Sequence, residues 1–71
     1  MDGAAQSVVA LDGQFVVSVS SESMTKLVTI NTAGEIVGVE DLFPSIGEHT
    51  MAIHGDQIAF SAGMTVTAVS R

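Results

Sequence analysis

His49 and His54 are the only histidines in the chain, and they are the first residues to weigh for chemistry. Imidazole binds metals and moves protons near neutral pH. Five positions apart on one strand, the two rings point to opposite faces, so without a break between them they cannot hold one ion. Glu48 stands beside His49 and Asp56 close to His54, yet neither spacing is that of a zinc or di-iron ligand set. The expectation is a strand-end histidine at 49, a turn histidine at 54, and no metal. Serines and threonines abound, but there is no Gly-x-Ser-x-Gly elbow and no oriented His-acid pair to activate a hydroxyl. Asp2, Asp12, Glu22, Glu35, Glu40, Asp41, Glu48 and Asp56 fall mostly at turns and strand ends. Acid-base catalysis needs two such groups facing one cavity. Glu40-Asp41 is the densest acidic spot; a solvated loop or a weak cation site would explain it, and the loop is the expectation. No catalytic residue and no cofactor are expected, and the chain reads as non-enzymatic.

Composition narrows the partners. The 71 residues carry a formal net charge of −6, and Lys26 and Arg71 are the only strong bases. Phosphate tracks need clustered Lys and Arg, so nucleic acid is excluded as a partner, and an anionic membrane surface is disfavoured for the same reason. No run approaches the ~20 apolar residues of a spanning helix. Residues 1–6 lack the basic and apolar regions of a signal peptide and read as a flexible lead-in. With no cysteine, disulfides and thiolate metal sites are unavailable. A domain this small buries only about 60% of its unfolded surface. Here 46% of residues are apolar and 14% charged, against a usual charged share of about 25%. Such a chain keeps apolar surface exposed when alone, and such surface marks a partner.

The elements that must position these residues are strands. Phe15, Val17 and Val19 alternate with Val16, Ser18 and Ser20, and similar period-two patterns recur to the end of the chain. Seven strands are predicted, at 7–11, 14–20, 26–31, 35–40, 49–54, 57–62 and 64–70. Asp12-Gly13 is a two-residue hairpin signal. Asn31 to Gly34 suits a type I turn with Gly34 in a left-handed bulge position. Short loops favour antiparallel neighbours. The fold class is therefore all-β: a small antiparallel meander of six or seven short strands, forming a single domain over residues 7–71. Phe15, Val17, Ile30, Ile58, Phe60 and Val66 are the predicted core. The connection 41–48 contains Pro44, which cannot donate to a ladder, so it reads as a crossover or cap with room for one helical turn. Its apolar residues Leu42, Phe43, Pro44 and Ile46 are the predicted inter-subunit contact.

A phrase also recurs. Val9-Ala10-Leu11-Asp12-Gly13 aligns with Met51-Ala52-Ile53-His54-Gly55, and Gln14 to Ser18 with Gln57 to Ser61 once Asp56 is treated as an insertion. The offset of about 42 residues lies in the range of repeat arrays. The order of strands and turns resembles β-propeller blades, with units 7–40 and 49–70 joined by 41–48. There is no Trp-Asp dipeptide, Gly-His start or aspartate box, and the second unit lacks its outer strand. That resemblance implies a binding module completed by other chains, since a ring needs about four to eight blades. The alternative is a β-sandwich or open barrel. The stretch "GDQIAFSAGMTVTAVSR" resembles the ends of small tailed-phage virion proteins. This second resemblance implies a capsid-decoration or head-tail connector protein, located in the virion. The expected function is the structural one, with a protein-interaction or ligand-binding module as the alternative, and the expected partners are copies of the chain or other structural chains.

Overall fold

The structure, a computed structural model, describes residues 3–70. It is all-β. The strands are β1 (Ala4–Leu11), β2 (Gln14–Ser20), β3 (Met24–Ile30), β4 (Ile36–Pro44), β5 (Thr50–His54), β6 (Gln57–Ala62) and β7 (Thr65–Ser70). They form two antiparallel meanders, a four-stranded sheet in the order β1-β2-β3-β4 and a three-stranded sheet in the order β5-β6-β7.

Turn chemistry sets the registers. Asp12 (φ 51°) and Gly13 (φ 74°) both have positive φ, as a type I′ turn requires, and Leu11 pairs with Gln14 across it. Gly55-Asp56 and Gly63-Met64 are also two-residue turns, with positive φ only at the glycine, the signature of type II′. In the β3–β4 turn, Asn31 Oδ1 accepts the amides of Ala33 and Glu35, and Gly34 takes the predicted left-handed position at φ 85°.

The structure departs from the sequence expectations in four places. β1 begins at Ala4, so residues 4–6 of the expected lead-in join the sheet, Ala4 and Ala5 paired with β2 and Gln6 at a register shift; Met1, Asp2 and Arg71 lie outside the described residues. Asp41–Pro44 extends β4 instead of forming a cap. Pro44 is tolerated because β4 is an edge strand and Pro44 is its last residue. Phe15 and Val66 stand 46% and 70% exposed, because both point away from the other sheet. Lastly, the two hairpins share one register without an insertion. Gly55-Asp56 replaces Asp12-Gly13, so Gln14 matches Gln57, Val17 matches Phe60 and Val8 matches Met51. The recurring phrase is real as a hairpin, but its first strand is one residue out of step with the alignment of Val9 on Met51.

The core lies between the sheets. Val16, Met51, Ile58 and Phe60 are buried there, with Val9, Leu11, Leu27, Ile53 and Val69 packed around them. Phe43 meets Phe60 edge-on at 5.1 Å between ring centroids. His49 crosses the seam. Its Nε2 is 2.9 Å from Ser18 Oγ and its Nδ1 is 2.8 Å from the Gly47 carbonyl. A carbonyl only accepts, so Nδ1 donates, and in the neutral ring Nε2 accepts the Ser18 hydroxyl. The amide of Met51 donates to Ser7 Oγ on β1. β1 and β5 are the strands along which the sheets approach most closely, so the two layers converge there.

The sheets are stacked in the same sense. A closing pair of a two-residue hairpin exchanges both backbone hydrogen bonds, and in an L-chain this fixes the face on which its side chains stand. Leu11 and Gln14 stand on the face of the first sheet that meets the second. Their counterparts His54 and Gln57 stand with Ala52 and Ala59 on the face of the second sheet turned away from the first. Each sheet thus shows its neighbour the opposite type of face.

Candidate functional site

The outer face of the four-stranded sheet is built from three cross-strand rows. Val8, Val17, Val28 and Val39 lie opposite one another across all four strands. Beside them run Ala10, Phe15, Ile30 and Ile36. A third row holds Ala5, Val19, Lys26 and Asp41. Val17, Val19 and Val28 are buried by their neighbours on the same face, with Ile30 packed against them. The ends of the rows are open: Val8 is 59% and Val39 55% exposed, and Ile36 is similar. An antiparallel sheet with one solvated face alternates apolar and polar residues. In this sheet the outward rows are almost wholly apolar, while the inward rows mix Val9, Leu11, Val16 and Leu27 with Ser7, Gln14, Ser18 and Glu40, so neither face has the polar character of a solvated one. Its only ion pair among the described residues is Lys26 Nζ to Asp41 Oδ1, 3.6 Å apart at one margin.

The outer face of the three-stranded sheet is smaller in relief. Ala52, Ala59 and Ala68 form its central row, flanked by Thr50, Ser61 and Val66 on one side and His54, Gln57 and Ser70 on the other. No Asp, Glu, Lys or Arg lies on β5, β6 or β7.

The residues weighed for chemistry are dispersed or enclosed. His49 is buried at the seam and His54 sits on the far side of the second sheet. Among the described residues no group of three His, Asp or Glu could hold a metal ion. Glu40 and Asp41 point to opposite faces, Glu40 opposite Leu27 and Asp41 opposite Lys26. Ser18 and His49 form the hydroxyl-imidazole pair that nucleophilic catalysis uses. Ser18 is 0% exposed, however, so no substrate reaches its oxygen, and the geometry serves to tie the sheets together. The 780 Å³ depression lined by Gly3, Ser20, Glu22, Met24, Lys26 and Asp41 is a wide, solvent-open trough.

Of the four predicted contact residues, Leu42, Phe43 and Ile46 are half-buried against the core of the chain itself, and Pro44 alone is exposed. The sequence reading passed over Val8, Val28, Ile36 and Val39 as an interaction surface. The signal was present in β2, where Phe15, Val17 and Val19 make one wholly apolar face and Val16 lies with Gln14, Ser18 and Ser20 on the other.

Comparison with protein-family models, with curated proteins and with solved structures returns no match.

Proposed function

We propose that this chain is a non-catalytic β-sheet module that works inside an assembly, with the outer face of β1–β4 covered by another protein layer. The observation that carries this reading is the row Val8-Val17-Val28-Val39 on a face that no other strand of the chain covers: Val17 and Val28 are closed in by their neighbours, and the two ends, Val8 and Val39, are more than half exposed. Fully burying an exposed valine side chain contributes about 1.5–3 kcal/mol, and Val8 and Val39 each have about half of that still to gain, so covering this face is favoured. Of the two settings that the sequence resembles, an array of blade-like sheets gains support from the same-sense stacking and from the convergence at β1 and β5. A capsid-decoration or connector role rests on composition and the C-terminal stretch, and it would use the same surface.

Light scattering tests the reading. The chain is expected to associate at micromolar concentration. Val8→Lys with Val39→Lys should yield a monomer with unchanged far-ultraviolet circular dichroism, because both positions are solvent-exposed in the lone chain. A folded wild-type monomer at that concentration overturns the reading.

A further inference from the structure

We infer that the layer covering the outer face of β1–β4 is the outer face of β5–β7 from a second copy of this chain, docked head-to-tail. The inference rests on the reading above and names its partner. Within one chain, the closing-pair face of the first sheet packs on the opposite-type face of the second. The outer surfaces repeat that combination. The outer face of β5–β7 is a closing-pair face, carrying His54, Gln57, Ala52 and Ala59. The outer face of β1–β4 is the opposite type, and its Val8, Ala10, Phe15 and Val17 occupy the hairpin positions of Met51, Ile53, Ile58 and Phe60. Those four counterparts are core residues or pack against the core. The two free faces therefore complement each other as the two joined faces already do.

Relief and charge agree. The alanine row of one face is shallow, and the valine and Phe15 rows of the other are bulky. Strong charge on either face is confined to the Lys26–Asp41 pair at the margin. A head-to-tail contact is heterologous, so it closes a ring when the rotation per step permits and otherwise runs on as a fibre. Convergence of the sheets at β1 and β5 makes each layer a wedge, which favours closure. With four to eight sheets per ring, closure takes roughly two to four copies.

Val16 packs in the same cluster as Ile58 and Phe60. Its counterpart is Ala59, and the counterpart of Ile58 is Phe15, so Ala59 of one copy is placed against Phe15 of the next. The double variant Phe15→Cys, Ala59→Cys tests this in a chain that has no native cysteine. Under mild oxidation it should give a ladder of covalent oligomers on denaturing gels, while neither single variant cross-links. Ala68→Cys, on the same row, replaces Ala59→Cys if circular dichroism shows the latter unfolded. Cross-linking of Phe15→Cys alone means two-fold pairing of like faces, which overturns the head-to-tail inference and leaves the covered-face reading standing. An associated protein that cross-links in no combination overturns it likewise. A folded monomer overturns both.

Discussion

At the scale of single residues, Ser18 and His49 matter most. Thirty-one positions separate them, and no local pattern in the sequence links a strand serine to a histidine beyond the linker. The pairing arises only when the second sheet folds over the first, which is why the sequence reading placed His49 at a strand end without finding its partner. Removing one member of a buried hydrogen-bonded pair strands the other. Ser18→Ala should therefore lower unfolding stability by about 1–3 kcal/mol in urea titrations. Its counterpart Ser61 is exposed on the outer face of β6, and Ser61→Ala should change stability by no more than about 0.5 kcal/mol. Equal losses at the two sites would contradict the role assigned to the seam.

At the scale of elements, the strands and turns were largely legible because turn geometry demands particular residues. Asp12-Gly13, Gly34 and Gly63 each mark a break where positive φ is needed. Facing was less legible. Alternation in β2 marks Phe15, Val17 and Val19 as its apolar face, yet the opposite face, with Val16 among Gln14, Ser18 and Ser20, is the one that looks toward the second sheet. Pro44 misled for a related reason: its missing donor excludes a central strand but is harmless at the end of an edge strand. The glycines offer a paired test. A Cβ at Gly13 would meet nothing within 4 Å, so Gly13→Ala should cost about 1 kcal/mol from backbone conformation alone. Gly38 has ordinary strand φ, and a Cβ there would lie 3.8 Å from Thr29, a normal contact. Gly38→Ala should therefore stabilise by about 0.4–1 kcal/mol through loss of unfolded-state entropy. Thermal melts of the two variants should move in opposite directions.

At the scale of the whole molecule, the all-β meander followed from patterning, and the units 7–40 and 49–70 anticipated the split into four and three strands, whereas the way the two layers pack on each other was not legible. That packing depends on the linker after Pro44 turning back so that His49 and Met51 reach β1 and β2. Once the layers stack in one sense, neither end of the stack is finished, and the proposed association follows from that geometry. One further property rests on Lys26. It is the single lysine, Arg71 is the single arginine, and Lys26 lies mid-sheet on β3 with β2 and β4 bonded on either side. Trypsin consequently has one target within the strands, and that target is guarded by the fold. A protease can cut there only after β3 has been lifted from both neighbours. The folded chain should resist trypsin and then yield two fragments, parted after Lys26, over the same temperature range in which its circular dichroism melts; rapid cleavage of the fully folded chain would contradict the central placement of β3. Digestion thus gives this nearly lysine-free protein a built-in gauge of whether its first sheet is shut.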